Sequence, residues 1–375
     1  MIILTLNKRN LNIFLTNIEP KIRMQFNSIL RNKTKEERDF LLYLRDTIGL
    51  TNILSATPDE NYLDGIPTIN DIESRINAKK YELRQEIHRT ITPRNFKKLL
   101  NLLTGNELKN IMQKHNIKRK KATRIEQFIK MIENHTFNKN EKIKFQKQYF
   151  ILITHKLCQE IFEDFYLNEW DNIPKYGKYK FVNALDLKTC PYCNRNYIFI
   201  VDNDKIRPEI DHFYPKSKYP YFAMSYFNLI PSCQTCNHTK SNNIDLNMIN
   251  PYSKYKIENE INFSINIEKV NFLDIKKDKY HFDSFNIKIN SQNNKNIDMF
   301  KLEKLYEQHK DVVVDLLIKS KYYPSKYISY LKRYGFSEDE IYRYLFNNFL
   351  KDKDLHKRPL SKLIRDIAIE LQLIR

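Results

Sequence analysis

Glycine is scarce in this chain: five residues in 375, with no GxxxxGK and no GxGxxG pattern. Loops that cradle nucleotide phosphates need glycine for close backbone approach, so the chain is not expected to bind a nucleoside triphosphate itself. Long apolar runs are missing as well. The opening MIILTLNKRN has an apolar run of only six residues before charge begins, too short for a signal-peptide core or a membrane span. A soluble, intracellular protein of the cytoplasm is expected. Cysteines number only five, and in a reducing compartment they serve as metal ligands more readily than as disulfides. No internal repeat and no long low-complexity tract interrupts the sequence.

Basic and aromatic residues are plentiful instead. Lys and Arg total 64 against 45 Asp and Glu, a net charge of +19, and there are 24 Tyr and 23 Phe. Such an excess favours a polyanionic partner, nucleic acid first. An AT-rich coding composition, with abundant Lys, Asn and Ile, would inflate lysine in the same way. At 41% hydrophobic residues the chain can bury a sizeable core, and its length suits two or three domains.

Helical spacing dominates residues 1–93, as in RMQFNSILRN and ERDFLLYLRDTI, with a Pro- and Gly-bearing loop at SATPDENYLDGIPT. Residues 94–135 read as a basic helical hairpin. Within it, ELKNIMQKHNIKRKKATRIEQFIKMI resembles the SAP-type helix–extended–helix module. That resemblance implies a small core of Leu108, Ile111, Met112, Ile117, Ile125, Phe128 and Ile129, with Lys118, Arg119, Lys120 and Lys121 facing phosphate. The bland reading is a solvated basic turn. Residues 136–185 form a helical connector in which Cys158, without ligand partners at close spacing, reads as a small core residue. After 255 the pattern changes: INFSINIEKVNFLDI and YHFDSFNIKIN alternate like strands. Residues 256–375 then close with helices, one capped by Ser337, another presenting Leu360, Leu363, Ile364, Ile367 and Leu371 on one face.

Between these flanks, residues 186–255 hold the chemistry. Cys190, Cys193, Cys233 and Cys236 form two CxxC pairs separated by 39 residues. Two pairs complete a tetrahedral thiolate site, read as structural zinc with no open position for catalysis. Inside the long insert, Glu209 to His212 reads as a strand, Asn228 sits on a second strand, and CNHTKSN starts a helix carrying Asn237 and Lys240.

The order DH–x15–N–x2–PxCxxCNxxK resembles the HNH, or ββα-metal, endonucleases in their four-cysteine, zinc-bound subtype. The expected fold is therefore mainly α with a small α+β insert, a ββα-metal core stapled by zinc between a helical N-terminal and an α/β C-terminal region. The resemblance implies His212 as general base, Asp211 and Asn237 as ligands of a catalytic Mg²⁺ or Mn²⁺, and Asn228 as the residue that steadies the imidazole. It implies Lys240 at a phosphate. Lys216 and Lys218 are further phosphate candidates, or simply loop lysines, and His238 is the alternative ligand if the helix is rotated. The chemistry suits those types: neutral imidazole takes a proton near neutral pH, and carboxylate and amide oxygens suit hard cations. The wider stretch, with KLYEQHKDVVVDLL and HKRPLSKLIRDIAIELQL, is similar to the HNH partner of Septu and retron-linked antiphage systems, which act beside an SMC/ABC-type ATPase. The substrate, DNA first or RNA, stays open, as does a non-catalytic, zinc-stapled nucleic-acid-binding subunit.

Overall fold

A computed structural model describes residues 4, 7–59, 63, 65–118, 124–174, 176–201, 206–245, 247–253, 261–269, 273–274, 279–280, 284–291, 294–323 and 325–374. The chain is mainly helical, with three two-stranded antiparallel sheets among these residues.

The N-terminal half is built from α1 (Lys8–Leu30), α2 (Lys35–Leu42), α3 (Leu50–Ser55), α4 (Ile69–Gln85), α5 (Pro93–Leu102), α6 (Gly105–Lys114), α7 (Ile125–Glu133), α8 (Lys139–Cys158) and α9 (Lys178–Ala184). Local sequence starts several of these. Thr34 with Glu37, Thr68 with Asp71, Thr104 with Glu107 and Asn138 with Glu141 each form a reciprocal capping box, which satisfies backbone N–H groups that a helix start leaves open. α1 buries Leu11, Phe14, Ile18, Ile22 and Phe26 at three- and four-residue spacing. The Phe14 ring meets Trp170, Tyr176, Phe181 and Tyr226 at centroid distances of 5.4–6.2 Å.

α8 is a shared wall between two hydrophobic clusters. Its Phe145 and Tyr149 join a satellite cluster with Leu99, Leu108, Met112 and Phe128, while Phe150, Leu157 and Cys158 belong to the main core. Cys158 is fully buried, and burial pushes its thiol up to about 11, as suits an inert core residue. Of the apolar residues expected in the hairpin's small core, all but one pack inward. Leu108, Met112, Phe128 and Ile129 are buried and Ile111 and Ile117 pack against them. Ile125 is 52% exposed, because it is the first residue of α7 and faces out from the open end of the hairpin. Lys118 is exposed; Arg119, Lys120 and Lys121 lie outside the described residues.

The middle of the chain forms β1 (Glu209–His212) and β2 (Leu229–Ser232), paired antiparallel with Asp211 opposite Ile230, followed by α10 (Gln234–Lys240). This helix begins two residues before the CNHTKSN stretch, since Cys233 has the extended backbone of an N-cap. The C-terminal part pairs β3 (Asn262–Ile267) with β6 (Phe285–Asn290), and β4 (Leu273–Asp274) with β5 (Lys279–Tyr280). It ends in α11 (Lys295–Phe300), α12 (Leu302–Tyr306), α13 (Lys310–Tyr322), α14 (Ser325–Arg333), α15 (Glu338–Phe346) and α16 (Ser361–Glu370). Ser337 caps α15 through a box with Glu340, as expected. Among the described residues the β3–β6 ribbon has no third strand, and carboxylates answer its outer N–H groups. Phe263 N–H donates to Asp366 (3.0 Å), Ile265 N–H to Glu370 (2.9 Å) and Ile287 N–H to Glu307 (2.7 Å).

Several contacts bind this C-terminal part to the cysteine segment, among them Tyr306 to Cys193 O, Thr189 to His356 O and a cluster of bonds at Asn194. Asn194, fully buried, sits in the left-handed region at φ 49°, a conformation that Asn tolerates better than most residues. Its amide nitrogen donates to Thr189 Oγ1, Leu355 O and Arg358 O, and its oxygen accepts from Ser361 Oγ and Lys362 N–H. Asn194→Ala leaves several of these groups buried without partners. The expected cost is about 3 kcal/mol, read as a lower urea midpoint in metal-loaded protein, and a midpoint unchanged from the parent would overturn the clasp.

Candidate metal centre and the cleft beside it

The knuckle at 190–196 is a tight turn. Cys190 N–H donates to Asn196 O (3.0 Å), and Asn194 N–H returns to Cys190 O (2.7 Å). This turn aims Cys190 and Cys193 at α10, where Cys233 is the N-cap and Cys236 the third helical residue. All four sulfurs lie within 4.8 Å of one another, and none is in a disulfide. The Cys193–Cys233 separation is 3.9 Å. A tetrahedral zinc with bonds of ~2.3 Å sets sulfur–sulfur edges of ~3.8 Å, so the donors fit a metal ion such as zinc. Burial pushes the Cys190 thiol well above its ordinary value, whereas bonds from the neighbouring sulfurs, Cys190 first, lower Cys193 and Cys233; a bound cation would take all four as thiolates and release the protons that remain. Arg195 N–H donates to Cys193 Sγ (3.4 Å), support for a thiolate beside the cluster.

The middle residue of the first CxxC reaches further. Tyr192, fully buried and stacked on Phe300 at 4.4 Å, donates its hydroxyl to Asp211 Oδ2 (2.7 Å). The other carboxylate oxygen, Oδ1, accepts from the Lys240 ammonium (3.1 Å), which also donates to His212 O (2.6 Å). Lys240 is fully buried and Asp211 only 3% exposed. Desolvation raises the Asp211 carboxyl against the pull of Lys240 and Tyr192, and lowers the Lys240 ammonium against the pull of Asp211. Lys240 was expected at a phosphate. Its charge is committed inside the protein instead, because α10 lays that side chain across the end of β1.

His212 is buried and packs edge-on against Tyr166 at 4.5 Å. Its Nε2 is 3.0 Å from Ala223 O. A carbonyl only accepts, so Nε2 carries the hydrogen and Nδ1 keeps the lone pair. Burial pushes the imidazole down to about 3, so the ring is neutral across the physiological range. Asn228 does not touch the imidazole through any hydrogen bond among the described residues. It accepts from Tyr214 N–H (2.6 Å) and donates to Tyr214 O (3.1 Å) and Phe222 O (2.8 Å). It therefore pins the loop that follows β1, and Ala223, the residue after Phe222, supplies the carbonyl that holds His212. It also ends the short helical turn Tyr226–Asn228 before β2, not the strand itself.

Asn237 donates its amide to Glu209 Oε2 (2.7 Å), which leaves its Oδ1 as the remaining acceptor. His238 Nε2 lies 3.5 Å from Glu209 Oε1. Glu209 escaped the sequence reading, although strand alternation in EIDH places it on the same face as Asp211. Tyr192 escaped too; its position inside the knuckle was the available signal. Tyr166 comes from a distant helical segment and carried none. Lys216 is half-buried in an ion pair with Glu163, and Lys218 is exposed in the turn after Pro215.

These groups surround an open cleft of about 360 Å³. Asp211, His212, Lys216, Asn237 and His238 line it together; Asn228, Lys218 and Lys240 do not. One wall thus offers a neutral imidazole, an amide oxygen, and a carboxylate that already accepts from Tyr192, Lys240 and the His212 backbone N–H.

Two outcomes test this arrangement. Metal analysis of the purified chain should return about one zinc per chain, and Cys193→Ser or Cys233→Ser should lose metal and fold together. Soluble, folded protein without metal would remove the centre. Lys240→Ala strands the Asp211 charge and should destabilise by about 3–5 kcal/mol in denaturant unfolding; a variant as stable as the parent would show the pair to be unimportant.

Comparison with known proteins returns no matching family model, no matching curated protein and no matching solved structure.

Proposed function

We propose that the chain is a metal-dependent endonuclease of the HNH, ββα-metal type, hydrolysing phosphodiester bonds in nucleic acid, DNA in the first place. The observation that carries this reading is the shared cleft of β1 and α10, where His212, Asp211 and Asn237 meet. The four cysteines are assigned a structural zinc. Asp211 and the Asn237 oxygen would hold a catalytic divalent cation, magnesium or manganese. When bound, such a cation supplies positive charge for the phosphorane and the leaving oxygen.

The protein's own part follows from its side chains. His212 Nδ1 would take the proton from a water as that water attacks phosphorus; the sugar oxygen leaves as its bond to phosphorus breaks and takes a proton from solvent, and the imidazolium returns its own proton to solvent. Ala223 O holds the imidazole in the tautomer that makes this transfer feasible. Tyr192 and Lys240 keep the Asp211 carboxylate ionised and oriented inside a dry wall. Glu209 accepts from the Asn237 amide nitrogen, which leaves the Asn237 oxygen as the atom available to a cation. The antiphage role and an ATPase partner of the SMC/ABC class belong to the same proposal and rest on the sequence resemblance.

Plasmid and oligonucleotide cleavage, followed against Mg²⁺ or Mn²⁺ concentration, is the test. His212→Ala should lose at least about 10²-fold in rate with zinc content intact, and added divalent cation should not restore it. Asp211→Ala and Asn237→Ala should shift the cation dependence to higher concentration. Parental cleavage by His212→Ala would eliminate this mechanism and favour a zinc-stapled binding subunit.

A further inference from the structure

The stretch 319–336, KSKYYPSKYISYLKRYGF, holds five Lys or Arg, no Asp or Glu, five Tyr and a Phe. It runs from the end of α13 through α14 to the turn before α15. Here α14 turns Ile328 inward and its tyrosines outward. Tyr327, Tyr330 and Tyr334 are 40%, 52% and 67% exposed, and their three- and four-residue spacing places them on one face. The rings are ordered against each other and not against a core. Tyr323 lies 5.4 Å from Tyr327, and Tyr330 lies 4.7 Å from Tyr334 with the two hydroxyls 3.0 Å apart. Beyond the turn, Phe336 meets Tyr344 edge-on at 6.1 Å, and Tyr344 is 70% exposed.

An exposed helix face ordinarily carries Lys, Glu and Gln; a row of open aromatic rings marks a contact surface. Its chemistry selects the partner. Lys321 and Arg333 are exposed beside the rings, and the one ion pair in the stretch among the described residues, Lys332 with Glu338 at 3.2 Å, is itself at the surface. Cations without anions favour a polyanion. Open ring faces favour flat, unstacked partners. A membrane-surface helix would instead show aliphatic residues, and the aliphatic Ile328 is turned inward. A duplex hides its base faces in the stack.

We infer that the tyrosine face of α14, with its flanking lysines and arginine, binds single-stranded nucleic acid by stacking bases on the rings and pairing phosphates with the cations. From Tyr327 to Tyr334 the face spans about 10 Å, enough for about two or three nucleotides. This names the substrate class of the proposed nuclease and rests on that reading for its role in cleavage, but not for binding.

The test uses the full zinc-loaded chain carrying His212→Ala, so that bound strands stay intact, and follows anisotropy of labelled oligo-dT, oligo-U and a duplex. Adding Tyr330→Ala with Tyr334→Ala should weaken binding of both single strands by about 10-fold or more and that of the duplex far less. Tyr330→Phe with Tyr334→Phe keeps the ring faces and should bind single strands like the parent. Unchanged single-strand affinity in the alanine pair overturns the inference. So does an equal loss in the phenylalanine pair, or binding to phosphatidylserine vesicles in place of oligonucleotides. Failure of the two readings is separable. A wild-type chain that never cleaves, yet loses strand binding with the alanine pair, ends the nuclease reading alone; cleavage with strand affinity indifferent to the alanine pair ends this one alone.

Discussion

A single buried ammonium, that of Lys240, governs the geometry of the cleft. It joins α10 to β1 through Asp211 Oδ1 and His212 O, in a place where neither charge meets water. Burying such a pair is costly, and the cost is met only when every remaining lone pair has a partner. Tyr192 supplies the partner for Oδ2. Because Tyr192 lies between Cys190 and Cys193, and Lys240 lies four residues beyond Cys236, both donors are carried by the segments that bring the sulfurs together. The cysteine cluster and the aspartate are one construction. Losing the cluster would release both hands that hold the carboxylate.

The same logic explains why His212 needs a second, separate support. Its ring is too deep for water to solvate its charge, so the neutral form is favoured by burial alone. Orientation comes from Ala223 O, and Ala223 is held in place by the loop that Asn228 pins at Tyr214 and Phe222. Asn228 thus acts on the imidazole through the backbone. An arrangement of this kind fixes one ring nitrogen and leaves the other open, whatever the site then does with it.

Much of this was legible in the sequence, for identifiable reasons. Capping boxes such as Ser337 with Glu340 are local, so their residues predict their own structure. The two CxxC pairs and the strands around Asp211 and Asn228 are local as well. What failed to show were contacts made across long separations. Asn194 meets Leu355 and Ser361 across more than 160 positions, and nothing periodic announces such a clasp. Lys240 reads from the sequence as a phosphate contact because lysine is rarely buried without a partner, and its partner is 29 positions away. Ile125 looked like core because its spacing is right, but as the first residue of α7 it keeps about half of its surface exposed.

The distribution of charge completes the picture. The chain carries +19 overall, yet the lysines nearest the cleft are engaged: Lys240 with Asp211, and Lys216 with Glu163. A wall whose cations are already paired adds little long-range attraction for a polyanion, since paired charges largely cancel beyond a few ångströms. The field that would draw and hold a nucleic acid must come from surfaces elsewhere, and the acid-free stretch at 319–336 is one such surface, with flat rings beside its charges. On the proposed reading, such a separation would leave the Asp211 carboxylate to its partners Lys240 and Tyr192 and the His212 imidazole to its burial, while exposed residues elsewhere supply the attraction.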